Sequence, residues 1–203
     1  MKTQTIIVLI GLLAIPVIGF GVYRVLSAPL PEGFPPPTPA AKIEVKNYPA
    51  YRCGTYRYQG PLSQAANVAF GPLYSHISSN NIPMTAPVEA RYPLITLQEN
   101  PTGATSDEKG QAEVSFLYRN RKVQPQQVAP GIKVEDQPPM TVVSIGFRGP
   151  YTFTSYQRNL QQLNNWLKQH PNYTVVGSPR RLFYDSPFIP DTFKRSEVQI
   201  PIK

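Results

Sequence analysis

Few side chains in this sequence have the type and setting to do chemistry. There are two histidines and one cysteine among 203 residues. His76 stands beside Ala69 and Leu73 at the edge of an apolar helical stripe, where an imidazole could ligate iron. The alternative for His76 is a boundary histidine hydrogen-bonded to a neighbour. Met84 offers a soft thioether, although a methionine in that setting is also ordinary core. His170 falls at a helix end, where its ring suits the dipole and the free carbonyls. Cys53 lies next to Gly54 with no histidine nearby, which reads as a structural thiol rather than a nucleophile. Zinc-ligand spacing, a Gly-rich phosphate loop and a Gly-x-Ser-x-Gly elbow are all missing from the sequence. Asp185 and Asp191 are separated by prolines and read as a turn rather than an acid/base pair. The chain is therefore expected to bind rather than catalyse. Arg57, Arg148, Arg180, Arg181, Lys194 and Arg195 fall at expected strand ends or turns, where they could meet the carboxylate arms of a flat apolar ligand.

These residues need elements to position them. From Leu62 to Ser78 the residues Leu62, Ala66, Ala69, Leu73 and Ile77 recur at three- and four-residue steps, with Phe70 and Tyr74 widening the face. That predicts a helix, which Gly71-Pro72 would kink or split. The segment Ile82-Pro83-Met84-Thr85-Ala86-Pro87-Val88 then reads as a stiff, extended approach to a strand. Strands are expected at Ile43 to Tyr48, Tyr51 to Tyr58, Met84 to Leu97 and Val114 to Tyr118. Gln98 to Gln111 and Asn120 to Pro139 read as long connections. The second half repeats this order. Thr141 to Phe147 is a β-branched strand. Phe153, Tyr156, Leu160, Leu163 and Leu167 form the cleanest helical stripe, and Tyr173 to Val176, Arg180 to Tyr184 and Glu197 to Ile202 follow as extended segments. A β-α-β-β unit used twice implies an α+β domain in which two helices cover one curved, mostly antiparallel sheet.

Ahead of this domain, Ile6 to Val22 carries no charged residue, and with Tyr23, Val25 and Leu26 it reaches membrane-spanning length. Residues 1–26 are expected to form a single-pass transmembrane anchor, with a cleaved signal peptide as the alternative. Lys2 and Arg24 bias the topology only slightly, toward a domain outside the cytoplasm. Residues 27–42 hold six prolines between Pro29 and Pro39 and read as a semi-rigid spacer that keeps the domain off the bilayer. The formal charge of +8 becomes +6 for residues 27 to 203 once Lys2 and Arg24 are set aside. That favours anionic partners, but no basic cluster is dense enough to favour nucleic acid.

Four motifs in order resemble the SOUL family of heme-binding proteins. They are Tyr48 after a β-rich start, Met84-Thr85-Ala86-Pro87-Val88 after the first helix, Phe147 to Gly149 before the second, and Tyr184-Asp185-Ser186-Pro187 followed by Lys194-Arg195-Ser196-Glu197-Val198. The likeness covers residues 43–203. It implies a distorted β-barrel with two flanking helices and non-covalent binding of heme or another porphyrin in an apolar groove along the first helix. Buffering or transport of that tetrapyrrole at a membrane follows. The groove residues would be Phe70, Leu73, Tyr74, His76, Ile77 and Met84, with Arg57, Arg148 and Arg195 at its rim and His76 as the iron ligand. Some family members have a histidine before the residue equivalent to Tyr48. Here that position is Asn47, so ligation by that route is absent. The alternative function is an effector- or protein-binding module on the same fold, with a non-heme amphipathic ligand.

Overall fold

The computed structural model describes residues 28–94 and 109–203. The expected anchor, residues 1–26, lies outside the described residues, and among those that are described no helix is long and apolar enough to cross a membrane.

The elements are β1 (Ile43–Tyr48), β2 (Tyr51–Pro61), α1 (Ala65–Ser79), β3 (Val88–Arg91), β4 (Lys109–Leu117), β5 (Ile132–Gln137), β6 (Met140–Arg148), α2 (Phe153–Gln169), β7 (Arg180–Phe183) and β8 (Arg195–Ile202). They form one eight-stranded antiparallel sheet in the order β1-β6-β8-β7-β3-β4-β2-β5. The order is symmetric about its centre: β6-α2-β7-β8 repeats β2-α1-β3-β4, and β1 and β5 take the two edges. The expected duplication is therefore present, and its pseudo-dyad passes between β3 and β7, where Val88 faces Phe183 and Ala90 faces Arg181. No ladder among the described residues joins β1 to β5, so the barrel narrows to a curved open sheet.

Both helices cover one face. Ala69, Leu73 and Ile77 of α1 and Phe153, Tyr156, Leu160 and Leu163 of α2 are buried with Ala90, Val114, Phe116, Val198 and Ile200 in one core. α1 runs unbroken through Pro72. Pro72 stands at the middle of the helix, seven residues from either end, and packing of α1 against β2 and β4 outweighs the lost hydrogen bond. α2 is capped by Thr152, whose hydroxyl accepts from Ser155 N at 3.2 Å. The approach to β3 holds a cis peptide at Ala86-Pro87.

Two expectations are corrected here. The connection Asn120 to Pro139 contains β5, which pairs with β2 from Tyr51↔Gln137 to Tyr56↔Ile132. Its flanking prolines hide a short alternating run. The stretch Tyr173 to Val176 is extended as expected and lies antiparallel to the end of β8 through the bridge Val175↔Ile202, with Thr174 and Lys203 exchanging both backbone bonds and Val176 N donating to Pro201 O. Most consequential is residues 28–42, which are no free spacer. They lie across the sheet face opposite the helices. Phe34 sits edge-on against Tyr48 and Tyr51 with centroids 5.0 and 5.3 Å away. Ala86 N donates to Pro29 O, Thr38 N to the Glu197 carboxylate, and Ala41 N to Gly146 O. The strap passes so close that a Cβ at position 146 would lie 2.0 Å from Thr38 O, a contact only glycine allows. Proline content signals stiffness, and a stiff strand laid flat loses little entropy on docking.

Candidate functional site

Where the helices part at the dyad they leave a cavity of about 510 Å³. α1 contributes Ala66, Asn67, Phe70 and Tyr74, the approach to β3 contributes Met84 and Thr85, and β3 itself contributes Val88. The second half contributes Tyr151, Phe153, Arg181 and Phe183, and Tyr184 to Pro187 close one side. Ala28, at the start of the strap, also lines it. The volume is that of a small-molecule site, with aromatic walls and few polar groups.

The sequence-derived site divides on this geometry. Phe70, Tyr74 and Met84 line the cavity. Leu73, Ile77 and His76 do not; they belong to the face of α1 that packs on the sheet and are buried there. A broad apolar stripe covers two directions on a helix, and periodicity alone does not say which flank meets the sheet. His76 is accordingly corrected as an iron ligand. It is fully buried, its Nε2 lies 2.8 Å from Tyr118 Oη, and its Nδ1 lies 3.4 Å from both Asn80 Nδ2 and Ala129 N. The reading of a histidine bonded to its neighbours is the one realised. A Cβ at Gly54 would come within 3.3 Å of the ring, so β2 seats it closely.

Burial lowers the His76 pKa below its ordinary value of about 6.5. The unfolded chain therefore takes up a proton below that value which the fold resists. Stability is expected to fall as pH drops from 6.5 through the lower folded pKa, with no contribution above it. Thermal melts between pH 7.5 and 5 on His76→Gln should show a flatter acid limb than the parent, and equal limbs would refute the assignment.

The expected basic rim is also rearranged. Arg57 is paired with Glu113 at 3.1 Å on the exposed surface of β2 and β4. Arg148 donates to Phe193 O at 3.2 Å. Arg195 holds Asp185 at 2.7 Å. None of the three lines the cavity. Arg180, on the opposite face of β7, is buried against Glu89 at 2.9 Å.

The cation at the cavity wall is Arg181, its neighbour on the strand. Alternation along β7 sends Arg180 to the strap face and Arg181 to the helix face. Arg181 is 1 % exposed and has no carboxylate partner among the described residues. It donates to Thr152 O (2.6 Å), Pro150 O (3.3 Å), Ser155 Oγ (3.1 Å) and Ser196 Oγ (3.3 Å), while its Nε has no partner. The rings of Phe183, Phe147 and Tyr151 stand 4.7, 5.3 and 5.5 Å from its guanidinium carbon. Burial pulls its pKa down to about 10, which leaves it charged at neutral pH. A buried charge without a counter-ion is costly, and this one sits behind an aromatic wall that would present its field to a ligand. Asp185 does not neutralise it, because both carboxylate oxygens are taken by Arg195 N, Nε and Nη2. In the sequence Arg181 is one of six basic residues at expected strand ends or turns, with nothing to single it out. What distinguishes it is its place beside the dyad, which the duplicated pattern could have supplied.

No histidine lines the cavity. Tyr151 is held by Asp185 and Arg195 backbone, and burial pushes its pKa up to about 12, as it does that of Tyr92. These phenols stay protonated at neutral pH. Among the described residues no group of three or more His, Cys, Asp or Glu side chains is placed to hold a metal ion. Cys53 is remote from this chemistry: it is buried on the strap face, and burial raises its thiol to about 12. The walls fit the apolar faces of a tetrapyrrole, and Arg181 fits a carboxylate arm. For an iron atom they offer only the Met84 thioether as a soft donor.

The sequence model of the SOUL heme-binding protein family matches residues 32–201. No curated protein matches the chain. Among solved structures, the crystal structure of the EcmrR C-terminal domain has a TM-score of 0.62 at 15% identity and covers 80% of this chain and 97% of that one. EcmrR in its complex with DNA has a TM-score of 0.63 at 15% identity, covering 80% of this chain; the present chain spans only 57% of that protein. An uncharacterized conserved protein from Listeria innocua has a TM-score of 0.59 at 13% identity, with 82% and 94% covered. These likenesses establish the fold.

Proposed function

Because the chain belongs to the SOUL heme-binding protein family, we propose that it binds heme or a related tetrapyrrole non-covalently in the cavity between α1 and α2, and buffers or carries it at a membrane. Family membership supports tetrapyrrole binding in general. The observation that carries the finer reading is an aromatic cavity backed by the uncompensated Arg181. Phe70, Tyr74, Phe153 and Phe183 would pack on the ring, each 100 Å² of apolar surface removed from water contributing about 2.5 kcal/mol. Arg181 would favour a propionate on its side of the ring. Heme, when bound, brings an iron centre. The chain's contribution is to bury the ring, exclude water from its faces and orient its acid groups. The tether would be the apolar run Ile6 to Val22, which puts the domain at a membrane surface. Binding without catalysis fits the committed state of the polar groups: Asp185 is held by Arg195, and the Tyr151 hydroxyl by backbone.

Burial rather than ligation provides the affinity in this reading, so hemin and free-base protoporphyrin should both bind. Titration of the full chain, followed in the Soret region, is expected to give saturable shifts of comparable midpoint for the two. No saturable shift for either would overturn the proposal. The lack of a cavity histidine also favours a second reading, an effector-binding module for another flat amphipathic acid. Displacement of a bound aromatic carboxylate dye by simple aromatic acids, with no response to either porphyrin, would select it.

A further inference from the structure

We infer that the cavity mouth faces the membrane, with the Phe188 loop seated among the headgroups of an anionic bilayer. The inference rests on the membrane tether proposed above and adds to it an orientation. Three observations carry it. First, Ala28 lines the cavity and the next residue, Pro29, is fixed to Ala86 N at 3.0 Å, so the chain joins the fold at the cavity rim. With residues 28–42 laid on the sheet rather than extended as a spacer, only about five residues of sequence, Tyr23 to Ser27, separate Ala28 at the rim from the uncharged run Ile6 to Val22. Secondly, Ser186 and Pro187 line the same cavity, and the residue after them, Phe188, is 94 % exposed, with Phe193 at 59 % on the same loop. A bare phenyl ring at the lip of an apolar cavity suits the interfacial zone, where aromatic rings concentrate. Thirdly, the charge there is complementary to acidic lipid. Arg148 is exposed and, among the described residues, bonded only to the Phe193 carbonyl, while the nearby acids Asp185 and Asp191 are already paired with Arg195 and Lys194. A cavity opening on the bilayer would take an apolar ring directly from lipid, without passage through water.

The test places tryptophan at the lip. Phe188→Trp in a Trp166→Phe background, as full chain in vesicles of phosphatidylcholine and phosphatidylglycerol, should emit further to the blue than in detergent-free buffer. It should also lose most of its quenching by iodide. Val176→Trp, beyond the far end of α2, should stay open to iodide. Because Trp166 stacks on His170, a Phe188→Cys nitroxide provides a second reading that leaves it in place, since the buried Cys53 is not labelled. It should be relaxed by oxygen more than by a nickel chelate. A chain that floats with vesicles but leaves position 188 open to aqueous quenchers overturns the orientation and leaves the tether standing. A chain that does not float overturns both. Neither result bears on porphyrin titration, which needs no membrane.

Discussion

Glu89→Ala is expected to destabilise the fold by about 3–5 kcal/mol, the cost of removing one partner from a buried ion pair. Glu89 is 2 % exposed at the centre of β3 and accepts from Arg180 Nη1 (2.9 Å), Tyr51 Oη (2.8 Å) and Arg91 Nη2 (2.6 Å). Despite burial its carboxyl is held below the usual carboxylate range, because Arg91 and Arg180 outweigh desolvation. Arg180 is 1 % exposed, has Nη2 without a partner among the described residues and leans on this carboxylate for its charge balance. Without Glu89 that guanidinium stays buried in low dielectric with only Gln199, Tyr51 and the Tyr48 ring beside it. At roughly 2–4 °C per kcal/mol for a domain of this size, the melting temperature should fall by roughly 6–20 °C. Glu89→Ala with Arg180→Met should recover most of the loss, because the double change removes both charges. A drop within ~1 kcal/mol for the single variant in urea melts would mean that water reaches Arg180.

The two arginines of β7 show how far a sequence carries this fold. Alternating β-formers and the stripes in α1 and α2 were enough to expect a duplicated unit, and the symmetric strand order is that duplication made visible. The aromatic flank of the site was legible too, since Phe70 and Tyr74 stand off the main stripe of α1. What stayed hidden depends on contacts between distant segments. His76 has the residue type of a ligand, but Tyr118 and Gly54 on neighbouring strands fix it in the core. The strap reads as a spacer because its docking residues, Phe34 and Thr38, are isolated among prolines. Arg180-Arg181 reads as one basic pair, yet strand alternation sends the two side chains to opposite faces of the sheet. One is neutralised by the buried Glu89 carboxylate of the adjacent strand β3, and its neighbour is left without a carboxylate among the described residues.

That difference predicts opposite behaviour. Arg181→Met should leave stability within ~1 kcal/mol of the parent or raise it, since removing an unpaired buried charge lifts a desolvation cost. Its four acceptors are backbone carbonyls and serine hydroxyls, not charges. Ligand preference should change far more. At an effective dielectric of about 20, a carboxylate ~6 Å from the guanidinium gains about 3 kcal/mol, of which partial hydration of the carboxylate removes some. Arg181→Met is therefore expected to weaken hemin binding roughly 10- to 100-fold while leaving the neutral porphyrin dimethyl ester within roughly two-fold, since 1.4 kcal/mol is tenfold in affinity. Arg181→Lys keeps the charge on a shorter reach to the same walls and should retain most of the acid preference. Competitive Soret titrations of acid and ester on the three proteins measure this difference directly. Equal loss for acid and ester would assign Arg181 to packing the cavity wall. An unchanged acid preference would mean that the ligand's carboxylates lie away from β7, toward the open mouth.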